Sequence, residues 1–118
     1  FFVKLFPNPH IRTTGFFIKS KDLLSININT KKLTQKIQTN YFEAGKNGLS
    51  NQLRKKGFEL ILVNSDNKFF RISDWKKSET FCLETQKKLI FSDNRTEKYL
   101  QSSELERNRM TKLYWGDS

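Results

Sequence analysis

The sequence predicts an α+β fold: one domain over residues 1–118, with an antiparallel sheet of four to six strands, two central helices packed on it and a further helix at the C-terminus. Three observations carry this. The stretch Leu49 to Trp75 runs from a short basic helix into a β-hairpin, Lys31 to Ala44 has apolar residues at helical spacing, and short apolar runs bounded by turn residues recur on both sides.

Phe1 to Phe6 has strand composition, and Pro7 with Pro9 closes it, because each proline fixes φ and removes a ladder donor. His10 to Gly15 reads as a loop and Phe16 to Lys19 as a second short strand. Between Lys21 and Asn29 two readings compete: Asp22 offers a cap for a helical turn, while Leu24, Ile26 and Ile28 alternate as in a strand. The strand is preferred for Ser25 to Asn29.

Thr30 is an N-cap for an amphipathic helix over Lys31 to Ala44, in which Leu33, Ile37, Tyr41 and Ala44 share a face and Gly45 follows as the stop. Leu49 and Leu53, four apart, mark one face of the next helix. Gly57 stands where a left-handed C-cap is wanted. Phe58 to Val63 then has strand composition, Ser65, Asp66 and Asn67 supply turn chemistry, and Phe69 to Ile72 resumes the apolar pattern.

Beyond the hairpin, Thr80 to Leu83 and Lys88 to Phe91 read as a further strand pair that extends the sheet. Ser92, Asp93 and Asn94 are N-cap candidates for a helical region over Arg95 to Trp115. Ser103 and Glu106 have capping-box spacing, so that region is one helix or two joined near Ser102. Its apolar residues, Tyr99, Leu100, Leu105, Met110, Leu113, Tyr114 and Trp115, make no clean stripe, as in a helix that is partly exposed or completed by a partner.

At 118 residues and 36 % apolar content, the chain can build a modest core, and eleven Phe against two Pro and five Gly argue against wholesale disorder. The sequence starts at Phe1 without an initiating Met, as a processed or trimmed segment would. No apolar run approaches the roughly 20 residues of a membrane-spanning helix. The single cysteine, Cys82, lies between Phe81 and Leu83 and reads as a small buried hydrophobe, which favours a reducing intracellular or organellar compartment.

Charge is the strongest feature. The chain carries +10, and residues 1–57 hold 11 Lys and Arg against Asp22 and Glu43 alone, a net +9, while the remainder is almost balanced. Such segregation is expected of a surface that meets a polyanion or an acidic protein face. Lys31, Lys32, Lys36, Lys46, Arg54, Lys55 and Lys56 are the candidate contacts. Aromatic and basic residues interleave in Phe16-Phe17-Ile18-Lys19 and Phe69-Phe70-Arg71, where adjacent rings of a strand point to opposite faces. Phe17 and Phe70 are therefore candidates for base stacking, and Tyr114 and Trp115 for anchoring on a partner.

One Cys and one His cannot make a structural zinc site, and His10 has no nucleophile signature to serve. No glycine-rich phosphate loop is present, and no metal or cofactor is expected. Asp66, Asp74, Glu79 and Glu84 lack the Asp, Glu and Lys spacing of a metal-dependent nuclease, which is the least favoured reading.

The order of a first strand, the segment Ile11-Arg12-Thr13, and Leu49-Ser50 through Gly57 into Phe58 to Val63 resembles small phycobilisome linker domains of the core-linker type over about half of the chain. The resemblance implies a basic, non-enzymatic protein that joins acidic pigment proteins. The sequence departs from that family at Gly57-Phe58, where the family tends to show paired glycines, and in its Lys31 to Ala44 and C-terminal helices, which have no counterpart there.

Two expectations of function follow. The first is a non-catalytic nucleic-acid-binding subunit of a larger assembly, gripping RNA or DNA backbone with the basic helical face. The alternative is a basic assembly or linker protein docking on acidic protein surfaces.

Overall fold

The computed structural model describes residues 12, 15–27, 42, 43, 45 and 47–116. The chain divides into two compact units, Phe1–Leu60 and Ile61–Ser118.

In the first unit, α1 (Ser20–Leu24) is a single turn opened by the extended Lys19, whose carbonyl accepts from the Asp22 and Leu23 N–H groups, each at 3.0 Å. The Ser25 hydroxyl closes it by donating to the Asp22 carbonyl at 2.6 Å. The strand preferred over Ser25 to Asn29 is therefore absent at the described residues, where 25 and 26 form a turn and bend. Ser25 favours a turn because its short side chain bonds nearby backbone in competition with a ladder.

Helix α2 (Leu49–Lys55) buries Leu49, Ser50 and Leu53. Leu49 and Leu53 form a small core with Ile26, against which Ile18, Leu23 and Phe42 pack. Helix α2 ends as its sequence predicts. Gly57 takes the left-handed conformation at φ +89, its N–H donates to the Arg54 carbonyl at 3.0 Å, and the Phe58 N–H donates to the Leu53 carbonyl at 3.1 Å. Both bonds of a Schellman motif are present, so two of the carbonyls left open by the last turn are satisfied.

The Gln52 side chain fastens α2 to the segment after α1. Its Oε1 accepts from the Asn27 N–H at 2.9 Å, and its Nε2 donates to the carbonyls of Asn27 at 3.0 Å and Asn47 at 2.6 Å. The carboxamide thereby does for Asn27 what a neighbouring strand would do.

In the second unit, β1 (Leu62–Val63) pairs antiparallel with β2 (Phe69–Phe70), Leu62 opposite Phe70 and Val63 opposite Phe69. The turn is organised by Asn64, a residue outside the Ser65, Asp66 and Asn67 trio. Its buried Oδ1 accepts from the N–H groups of Asp66 at 3.1 Å and Lys68 at 3.2 Å, and its Nδ2 donates to the Ser78 carbonyl at 3.2 Å. Asn67 contributes the left-handed residue at φ 61. A 3-10 helix, Ile72–Lys77, follows, and its Trp75 is buried with Nε1 donating to the Phe70 carbonyl at 3.0 Å.

Helices α3 (Asn94–Gln101) and α4 (Glu104–Trp115) complete the unit. Asp93 caps α3 in a reciprocal box with Thr96, the Thr96 N–H donating to Asp93 Oδ1 at 2.9 Å and the Asp93 N–H to Thr96 Oγ1 at 2.8 Å. Ser103 Oγ accepts from the Glu106 N–H at 3.2 Å, so of the two arrangements left open by the sequence the chain adopts two helices. Arg107 holds their joint, donating from Nε to the Tyr99 carbonyl at 3.0 Å and from Nη2 to the Leu100 carbonyl at 2.5 Å.

The expected sheet of four to six strands is overturned: among the described residues the only sheet is β1 with β2. Phe16 to Lys19 joins no ladder, and Thr80 to Leu83 and Lys88 to Phe91 contain turns and bends but no strand. The expected first strand over Phe1 to Phe6 lies outside the described residues, as does the Lys31 to Ala44 helix except at Phe42 and Glu43, which are helical.

The reason is visible in residues 78–89. Glu79, Cys82, Glu84 and Gln86 all have left-handed φ, between 52 and 58, which folds this apolar run into successive tight turns. Side chains, mostly from α3 and α4, then satisfy its backbone. Trp115 Nε1 donates to the Phe81 carbonyl and Thr111 Oγ1 to the Cys82 carbonyl, both at 2.7 Å, and the Tyr99 hydroxyl donates to the Glu84 carbonyl at 2.7 Å. Gln86 Oε1 accepts from the Cys82 N–H at 2.8 Å, and its Nε2 donates to the Thr96 carbonyl at 3.1 Å. A core of Cys82, Tyr99 and Met110, with Phe81 and Tyr114 against it, sits between loop and helices. The apolar residues are buried as a strand's would be, but helices replace the neighbouring strands.

Candidate nucleic-acid interface

Among the described residues, the exposed cations of the first unit fall in two groups. Arg54, Lys55 and Lys56 occupy the last turn and cap of α2, all exposed. Lys19 and Lys21, also exposed, flank the start of α1. None of these five has an acidic side chain within ion-pairing distance among the described residues. A structural role exists for the first group, since a cation at a helix C-terminus meets the negative end of the dipole and contributes about 0.3 to 1 kcal/mol. That accounts for their place at the helix end. It does not account for the lack of acidic partners.

The second unit treats its charges differently. Lys77 pairs with Asp74 at 3.0 Å, Lys87 with Glu79 at 3.2 Å, Lys88 with Asp66 at 2.6 Å and Arg109 with Glu106 at 3.2 Å. Arg95 donates to the Tyr114 hydroxyl, and its guanidinium lies 5.4 Å from the centroid of that ring. The Lys88 ammonium beside Asp66 holds its carboxyl below the ordinary carboxylate range, and the same bond raises the Lys88 ammonium. Most cations here are taken up by the unit's own groups, while Lys68, Lys76 and Lys98 are exposed and have no ion pair among the described residues.

Of the contacts expected from the sequence, Arg54, Lys55 and Lys56 come together, whereas Lys31, Lys32, Lys36 and Lys46 lie outside the described residues. Phe17 is 95 % exposed, the most open large apolar residue described. Ile18 packs on the core, while Phe17 and Lys19 on either side of it are exposed. In the second pair of rings, Phe69 is the exposed member and Phe70 is half-buried. Tyr114 packs edge-on against Phe81 with centroids 5.0 Å apart, and Trp115 holds the Phe81 carbonyl, so both candidate anchors are engaged within their own unit.

One residue escaped the sequence reading. Phe58, expected to open a strand, follows the left-handed Gly57 and is 42 % exposed next to the cation run. The available signal was its position just beyond a glycine C-cap, where the chain is still turning and cannot yet join a ladder.

Among the described residues, no three His, Cys, Asp or Glu side chains gather as metal ligands, and no helix is long and apolar enough to cross a membrane. A depression of about 420 Å³ along α4 is lined by Glu106, Arg109, Met110, Lys112 and Leu113, all from one helix, and so lacks opposing walls to enclose a small molecule. No protein-family model, curated protein or solved structure matches the chain, so the linker-domain resemblance gains no support from a relative.

Proposed function

We propose that this protein is a non-catalytic nucleic-acid-binding subunit that grips the phosphate backbone with the cations of its first unit. The observation that carries the reading is the run Arg54, Lys55 and Lys56, exposed and, among the described residues, without acidic partners, joined on the same unit by Lys19 and Lys21 in the same state. Unpaired cations on a folded surface repel one another, and a polyanion relieves that repulsion while releasing its condensed counterions.

Five such contacts correspond to a slope of log K against log salt of about −3.5 on a single strand and about −4.5 on a duplex, at roughly −0.7 and −0.9 per phosphate. Fluorescence anisotropy with labelled oligonucleotides across a salt series measures the slope. Binding at low salt with a slope this steep is the expected result, and no binding at low salt overturns the reading. Polyglutamate is the competitor that separates it from docking on an acidic protein surface. Displacement by polyglutamate at charge concentrations equal to those of the oligonucleotide would favour the acidic protein instead.

A further inference from the structure

We infer, building on the nucleic-acid reading above, that the strand this surface takes is single, with unpaired bases stacked on Phe17 and Phe58 while the neighbouring cations hold its phosphates. Each of these two exposed rings stands two residues from an exposed cation that has no acidic partner among the described residues, in Phe17-Ile18-Lys19 and in Lys56-Gly57-Phe58. In the first of these Ile18, between ring and ammonium, packs on the core, while Phe17 and Lys19 are both exposed. A nucleotide offers the matching pair of a flat base and a phosphate. In a duplex the base is paired and stacked, and the ring has nothing to face.

Helix α2 also argues against groove reading of a duplex. A helix that reads the major groove presents carboxamide or guanidinium groups to base edges, with Asn and Gln the usual partners of adenine. Here the Gln52 carboxamide is engaged at both ends by Asn27 and Asn47, and Asn51 Nδ2 donates to the Gly45 carbonyl at 3.1 Å. The carboxamides of α2 hold the unit together instead, which leaves Arg54 as the one exposed guanidinium on that helix. What remains on the surface is charge and aromatic area, the sequence-tolerant combination of single-strand binders.

The test compares one single-stranded oligonucleotide with its own duplex at fixed low salt, using the full chain. Single-strand binding at least about tenfold tighter is expected, because each stacked base is worth at least about fivefold in affinity. The double variant Phe17→Leu, Phe58→Leu keeps apolar volume and removes the π-face. It should bind the single strand at duplex level with the salt slope unchanged, while Phe17→Trp, Phe58→Trp should retain or strengthen the preference. Equal binding of strand and duplex by the unaltered chain, or a leucine variant that keeps its preference, overturns the stacking inference and leaves the phosphate reading standing. Failure of both oligonucleotides to bind overturns the two together.

Discussion

Replacing Gln86 with Met isolates the interaction that makes the loop of the second unit possible. The two side chains have similar length, and the left-handed backbone at φ 52 strains both alike, so the backbone contribution cancels between variant and parent. The polar atoms do not cancel. Gln86 Oε1 accepts from the N–H of Cys82, a residue fully shielded from solvent, and Nε2 donates to the Thr96 carbonyl. Losing two hydrogen bonds at about 1 kcal/mol each, and leaving the Cys82 N–H buried without its acceptor, should cost about 2 to 4 kcal/mol. Against a stability of about 0.05 to 0.15 kcal/mol per residue, that is a large part of what a unit of this size can have. Trp75 and Trp115 are the only tryptophans and both belong to this unit, so urea unfolding followed by tryptophan fluorescence reports on it alone. A midpoint shift worth less than about 0.5 kcal/mol would refute the claim that this carboxamide holds the loop, since it falls below one net hydrogen bond.

Further predictions concern the caps and the exposed ion pair. Gly57→Ala should destabilise α2 by about 1 to 2 kcal/mol through its left-handed backbone alone, because an added Cβ meets no atom within 4 Å; a loss well above this, read by helical circular dichroism on heating, would mean a clash the structure does not contain. Asp66 has a folded pKa below its ordinary 3.8, so its pairing with Lys88 stabilises the unit above that value and is lost as pH falls through the lowered folded pKa. Lys88, raised above its ordinary 10.5, contributes fully below that value and loses its contribution as pH climbs through the folded pKa, leaving the neutral range flat. Carboxyl NMR titration should show the Asp66 midpoint returning toward 3.8 in Lys88→Met, and an unmoved midpoint would assign the shift to another cause. Glu84→Gly, at an exposed left-handed position, should leave stability unchanged or raise it by up to about 1 kcal/mol, and a clear loss in the same urea assay would contradict the strain assigned there.

The elements legible in the sequence are those fixed by bonds between near neighbours. Gly57 ends α2, Asp93 opens α3 and Ser103 opens α4 through contacts spanning three to five residues, so their signals lie within one short window. The turns over 80–89 could not be read this way. Their backbone partners Thr111 and Trp115 stand 29 and 34 residues beyond the carbonyls they satisfy, and a short apolar run buried beneath helices has the same composition as a strand buried between strands. Asn64 shows the same limit on a smaller scale, since its Ser78 contact could not be seen when the turn was assigned to the three residues after it. The candidate site divides similarly. The excess of charge before residue 58 is compositional and legible, whereas the absence of acidic partners among the described residues around Arg54, Lys55 and Lys56, and the exposure of Phe58, are tertiary properties.

The central claim is that unpaired cations of the first unit meet phosphates, and the salt slope of the triple variant Arg54→Ala, Lys55→Ala, Lys56→Ala tests it most directly. Three lost phosphate contacts should flatten the single-strand slope by about 2, at roughly 0.7 per contact, while the tryptophan-reported unfolding of the second unit stays as in the unaltered chain. A triple variant that binds with the original affinity and the original slope would contradict the account.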